Sequence, residues 1–194
     1  MNRRRRSRIV LPVLLAALAG IFATRGAPQT ASALDLHGKT VDPLKATPGK
    51  LTVLIFVRTD CPISNRYAPI IQKMSADYAA KSSFWLVYPD KSESPENISR
   101  HLEQYGYRLP ALRDTQHALV QLSQVEITPE AAVFDSSGRL VYHGRIDNWY
   151  EDFGRSRPAP TTHELSDAIQ AELSGKSPAV AVTQAVGCYI SDLK

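Results

Sequence analysis

The first continuous β-branched and aliphatic run after the N-terminal leader is Leu51-Thr-Val-Leu-Ile-Phe-Val57. Its aliphatic and β-branched residues occupy both parities, which predicts a strand buried on both faces. A polar break at Arg58-Thr59-Asp60 follows, then Cys61-Pro62; Asp60 is placed to cap a helix and Pro62 to occupy its first turn. Ile63, Tyr67, Ile70, Ile71, Met74 and Tyr78 recur at three- and four-residue steps, predicting one amphipathic helix with a core-facing stripe. Ser83–Tyr88 reads as a second buried strand, joined to the first by a right-handed crossover. Ser94-Pro-Glu-Asn97 opens a second helix with Ile98, Leu102 and Tyr105 on one face and Gly106 as its stop.

The remaining pattern is shorter in period. A helix around Gln116–Ser123 is introduced by Asp114-Thr115. Ala131–Phe134 and Arg139–His143, separated by Asp135-Ser-Ser-Gly138, predict a β-hairpin. Thr161-Thr-His-Glu164 fits a capping box for a helix carrying Leu165, Ala168, Ile169 and Leu173 and ending at Gly175. Upstream, Leu34–Pro43 reads as a small hairpin turning at His37-Gly38. The order β–α–β–α–α–β–β–α implies an α/β fold, a central mixed β-sheet flanked by helices on both faces. We expect one domain over residues 34–175, with Pro158-Ala-Pro160 as a rigid joint inside it, and a C-terminal tail extension over 176–194 that carries Cys188.

Charge is divided unevenly along the 194 residues. The chain has 23 basic and 19 acidic residues, a net +4, but Arg3, Arg4, Arg5, Arg6, Arg8 and Arg25 all precede Leu34 and no acidic residue does. The remaining 17 basic residues against the same 19 acidic ones leave −2 on residues 34–194. The excess positive charge therefore belongs to the leader, and no basic patch interleaved with aromatics marks a nucleic-acid partner. Residues 1–33 have the layout of an export signal: an arginine block, an apolar run Ile9–Ala23 interrupted by Pro12, and Ala31-Ser32-Ala33 as cleavage site. The run is shorter than the roughly 20 residues that span a bilayer. The expectation is an exported protein of the bacterial cell envelope, periplasmic, with retention of the segment as a membrane anchor the alternative.

With 43% hydrophobic and 22% charged residues the whole chain has an ordinary globular composition. No P-loop, GxGxxG or nucleophile elbow is present, so no cofactor is expected. Asp147, Glu151 and Asp152 form a small acidic group, read as a solvated face. The chemistry rests instead on two cysteines, Cys61 and Cys188. At a strand–helix junction, free backbone N–H groups and the helix dipole favour thiolate over thiol, and Arg58 and Arg66 flank Cys61 as candidate charge-tuning residues. An inert core cysteine is the competing reading.

Val53–Pro62, followed by Val125-Glu-Ile-Thr-Pro-Glu-Ala-Ala-Val-Phe-Asp-Ser-Ser-Gly-Arg-Leu-Val-Tyr-His-Gly144, resembles the thioredoxin superfamily. More narrowly, Asp60–Pro69, Arg145–Gly154, Pro160-Thr-Thr-His163 and Ala185-Val-Gly-Cys188 are similar to motifs of exported bacterial redoxin proteins of the alkyl hydroperoxide reductase/thiol-specific antioxidant type. The resemblance implies a thioredoxin-like fold, Cys61 as the redox residue, and Thr128-Pro129 as a cis-proline loop holding substrate backbone beside it. Asp60, Pro62 and Ser64 join Thr128 and Pro129 as candidate substrate-contacting residues. Two departures matter. Ser64 stands where thioredoxin-type reductases carry the second cysteine, and Leu54 and Arg58 stand where peroxiredoxins carry Pro and Thr. Thr59 or Ser64 would have to supply the missing hydroxyl.

Cys188 is the candidate partner, delivered if the tail folds back over the sheet end. A bond to Cys61 would close a loop of about 128 residues, which chain-entropy models value at roughly 5 kcal/mol. The expected activity is that of a thiol–disulfide oxidoreductase or peroxiredoxin-like antioxidant protein, with Cys61 as nucleophile and Cys188 resolving. Its partners would be a disulfide-containing protein or a peroxide, and a thiol reductant. Two alternatives stay open: a non-enzymatic binding module whose disulfide staples the tail, and a copper chaperone. For copper, His37, His101, His117, His143 and His163 are scattered without ligand spacing, so no metal ligand is assigned.

Overall fold

The computed structural model describes residues 31–191 and 193. Its elements are β1 (Ala33–Asp35), β2 (Thr40–Val41), α1 (Pro43–Ala46), β3 (Leu51–Phe56), α2 (Pro62–Arg66), α3 (Ala68–Asp77), β4 (Ser82–Tyr88) and α4 (Pro95–Gln104). There follow β5 (Ala111–Arg113), α5 (Ala118–Ser123), β6 (Ile127–Thr128), β7 (Glu130–Phe134), β8 (Leu140–Gly144), β9 (Tyr150–Asp152), β10 (Arg155–Ser156), α6 (Glu164–Leu173) and β11 (Cys188–Tyr189). Seven strands make the main sheet in the order β2-β1-β5-β4-β3-β7-β8. β3 runs parallel to β4 and antiparallel to β7, so the sheet is mixed, as the order of elements implies.

All six residues of β3 are buried, and they divide between two cores by parity. Val53 and Ile55 pack on one face with Ile71, Ile98, Leu165 and Ile169; Leu54 and Phe56 pack on the other with Leu119, Val120 and Ile190. This is the reason the sequence shows a continuous apolar run where a one-sided strand would alternate. Truncating a central residue such as Leu54 to Ala would cost roughly 2–5 kcal/mol.

The long helix expected from Ile63 to Tyr78 is two helices. Pro69 has no N–H to give the carbonyl of Asn65, so the ladder breaks, and Tyr67 closes α2 onto Ile63 and Ser64 before α3 begins. The apolar stripe survives the break, because Ile63, Tyr67 and Ile71 all reach the same core. The cap at Ser94 forms, its hydroxyl accepting from the Asn97 amide at 3.2 Å. The capping box at Thr161–Glu164 does not: His163 is the cap residue, and Glu164 instead pairs with Arg145 and the Thr162 hydroxyl. Five strands escape the sequence pattern altogether, β5, β6, β9, β10 and β11, each too short to show a period.

At the N-terminal side Ala33 is buried and pairs with Val41, and Ala31 packs on the same core. The folded body therefore starts slightly before Leu34, and the expected cleavage triplet lies against it. The arginine block and apolar run of the leader lie outside the described residues. Among the described residues no helix is long and apolar enough to cross a membrane.

The tail is a docked segment of the fold. The His143 amide donates to the Ala181 carbonyl, and the His143 carbonyl accepts from the Thr183 amide. The Thr183 hydroxyl donates to Tyr142, whose own proton goes to the Arg145 carbonyl, and accepts from the Arg145 amide. β11 then pairs antiparallel with β6, Cys188 opposite Thr128 and Tyr189 opposite Ile127.

Candidate redox site

β3 delivers the chain to the site and α2 carries it away. Cys61 is the residue that caps α2, in extended backbone (φ −86°, ψ 111°), with Pro62 in the first turn. The helix starts one residue later than expected, so Asp60 is not its cap. Asp60 lies on the surface and pairs with Arg58 at 3.0 Å. Cys61 itself is completely buried (0% exposed) within the larger core.

Across from it the Thr128–Pro129 peptide is cis, as the resemblance implied. The Thr128 carbonyl accepts from the Cys61 thiol at 3.2 Å. Glu130 braces this corner from inside: its carboxylate accepts the amides of Glu126 and Ile127 at 3.0 and 3.1 Å, and its other oxygen faces His143. Burial pushes the Glu130 carboxyl above the ordinary carboxylate range against those hydrogen bonds.

The tail brings the second sulfur. Cys188 donates its thiol to Cys61, Sγ to Sγ 2.7 Å, and both are free thiols. Burial opposes ionisation of Cys61. Hydrogen bonds from the Cys188 thiol and from the hydroxyl and amide of Ser64 together outweigh it, and Cys61 falls below the usual thiol range. Ser64 leans on the sulfur without closing a cap bond of full geometry, so its hydroxyl is buried and unpartnered in the dithiol form. Cys188 moves the other way: burial, then its bond to Cys61 and that sulfur's charge, push it up to about 12. Of the two touching sulfurs Cys61 is the more acidic and Cys188 the less.

The charge-tuning arginines separate. Arg58 bridges Asp60, Asp90 and the Tyr189 carbonyl, and its charge acts on Cys188 in the tail. Arg66 stands over the Trp149 ring at 4.9 Å, a cation–π contact on the far side of its helix turn. Thr59 is engaged as well: its amide and hydroxyl both bind Glu93, at 2.8 and 2.9 Å, so the hydroxyl is not free for a peroxide. Asp147 is buried, not solvated, and accepts the Tyr67 hydroxyl at 2.6 Å; Glu151 and Asp152 are exposed.

Several residues that build the site carried no sequence signal read as such. Glu93 holds the Thr59 end of the cysteine loop, and the Asn65 amide donates to the Thr59 carbonyl at 3.0 Å while meeting His101 at 2.8 Å. Gly187 touches the Thr128 carbonyl so closely that any Cβ would overlap it. The glycine beside Cys188 was the available signal. Among the described residues, no three His, Cys, Asp or Glu side chains converge as a metal donor set.

A redoxin family model matches residues 23–151, a stretch that contains Cys61, the cis-proline and the sheet around them. The chain belongs to the redoxin family of the thioredoxin superfamily. The fold agrees with solved structures. An uncharacterised conserved protein from Geobacillus kaustophilus superposes with TM-score 0.72 at 22% identity, over 84% of this chain and 89% of that one. A hypothetical protein from Sinorhizobium meliloti 1021 gives 0.69 at 22%, over 84% and 91%. A putative thioredoxin from Neisseria meningitidis gives 0.51 at 24%, over 60% and 77%. Among curated proteins no match is found. Redoxin membership places the chain's function, at family level, with thiol–disulfide oxidoreductases. Cys188 lies beyond the matched stretch, in the part of the chain the family model leaves out.

Proposed function

We propose that the protein is a thiol–disulfide oxidoreductase whose two-electron couple is Cys61 and Cys188. The observation that carries this reading is the contact between the two sulfurs, 2.7 Å apart although 127 positions separate them in sequence. Ser64 occupies the position of the usual second cysteine, and the tail supplies that thiol from elsewhere. Oxidation removes two electrons and two protons from the pair and forms the intramolecular disulfide; reduction by an external thiol restores it. Cys61 is the more acidic sulfur of the pair, and so the better nucleophile near neutral pH and the better leaving group in exchange. Its partners are disulfide- or thiol-bearing proteins and a thiol reductant. We place the protein in the bacterial envelope on the strength of its arginine block and short apolar run.

The test is a thiol count joined to turnover. Oxidised with diamide, the wild type should lose both free thiols without forming dimers, while Cys61→Ser and Cys188→Ser each keep one or dimerise. Reduction of a protein disulfide with dithiothreitol as electron source should be abolished in both variants. Unchanged turnover in Cys61→Ser would end the proposal.

A further inference from the structure

The two sulfurs are not equivalent toward solvent. Cys61 is fully buried: Thr128 lies against it on one side, the first turn of α2 on another, and Cys188 closes the third. Cys188 is partly exposed, and the next residue, Tyr189, is 73% exposed. Joining the sulfurs shortens their separation by about 0.7 Å, too little to change which of them solvent reaches. Thiolate exchange proceeds along the axis of the S–S bond, from behind the sulfur attacked. Attack on Cys61 would have to come from the protein interior, whereas attack on Cys188 comes from outside.

Resting on the Cys61/Cys188 couple, we infer that oxidised protein exchanges through its tail: an external thiolate attacks Cys188, and Cys61 leaves into its buried site. The step is R–S⁻ plus Cys61–S–S–Cys188 giving R–S–S–Cys188 plus Cys61–S⁻, with the electron pair of the broken bond leaving on Cys61. The Ser64 hydroxyl, which leans on Cys61 in the dithiol form without a bond of full geometry, is placed to donate to that thiolate once Cys188 has been drawn away. A second thiolate then attacks the outer sulfur of the mixed disulfide, releasing R–S–S–R and Cys188 thiolate, which takes up a proton. The entry cysteine is thus the one on the tail, and the substrate class is a solvent-borne thiol. Tail docking enforces the order, because Gly187 must lie on the Thr128 carbonyl for Cys188 to cover Cys61.

The experiment starts from wild-type protein whose disulfide has been verified by thiol count, so that failure to form the bond, which would end the couple itself, is seen separately. The disulfide form is mixed briefly with excess glutathione, quenched with N-ethylmaleimide, and its two cysteine peptides are mapped by mass. Glutathione on Cys188 with maleimide on Cys61, at a ratio of at least tenfold over the reverse, is expected. Glutathione mainly on Cys61, or equally on both, overturns the assignment. The same mapping on Gly187→Ala, its disulfide verified by the same thiol count and its tail held off the Thr128 carbonyl by the added Cβ, should bring the ratio toward one; an unchanged ratio there would also overturn it, since burial under the docked tail would not be the cause.

Discussion

Gly144 lies against Thr183 with no room for a side chain: a Cβ at Gly144 (φ +141°) would overlap the Thr183 hydroxyl and backbone. This contact seats the start of the docked tail on β8, and Gly187 repeats the device at the other end, on Thr128. Between these two glycines the tail is fixed in register, which is what puts Cys188 over Cys61. Gly144→Ala should destabilise the fold by roughly 1–3 kcal/mol through this overlap, read by urea unfolding. It should also raise the rate at which Cys61 is alkylated, since the tail above it lifts. Slower or unchanged alkylation of Cys61 would show that the tail does not shield it.

The unequal acidity of the two thiols gives a titration with two well-separated steps. In the dithiol protein, thiolate ultraviolet absorbance should rise once below the ordinary thiol value of 9.0, for Cys61, and again only near 12, for Cys188. Cys188→Ala should move the first step upward, because it removes the thiol that donates to Cys61. Ser64→Ala should move it upward too, because it removes the hydroxyl that leans on the sulfur. A first step that both variants leave in place would mean that neither group sets the charge on Cys61.

How much of this could be read in advance depends on what each feature rests on. β3, β4 and the β7–β8 hairpin were legible because burial on both faces or a tight turn marks the sequence directly. Cys61 at the strand–helix junction was legible for the same reason. The break at Tyr67 was also written in the chain, at Pro69, but the unbroken apolar stripe across it favoured a single helix. Asp147 shows the opposite failure. It stands near two acidic neighbours, yet its burial is decided by Tyr67, a residue far away in sequence whose hydroxyl it accepts. The site's braces are of that kind. Glu93 on Thr59, Glu130 on Ile127 and Gly187 on Thr128 have meaning only once the tail and loops have met.

His101 is a buried imidazole bonded to Asn65 and Tyr88, and burial lowers its pKa to about 4 from 6.5. Between those values the unfolded chain binds a proton that the folded one refuses, so stability rises with pH across the window. The contribution is complete above pH 6.5 and lost as the pH falls toward 4, about 3 kcal/mol in all. Urea unfolding at pH 7.5 and pH 4.5 should therefore show a smaller pH dependence in His101→Gln than in wild type. Buried Glu93 and Asp114, whose carboxyls are raised by burial, pull the opposite way and are common to both proteins, so the difference isolates the histidine.

A bond that only fastens the tail and a bond that cycles differ in one quantity, the reduction potential of the Cys61–Cys188 pair. Stabilising the Cys61 thiolate stabilises the reduced form and makes the disulfide more oxidising. Equilibration of the wild-type protein with thiol–disulfide buffers of known poise, read by thiol labelling and mass, should give a single two-electron transition well above about −300 mV. A transition below about −300 mV, in the range of structural disulfides, would contradict the account and leave the pair as a staple.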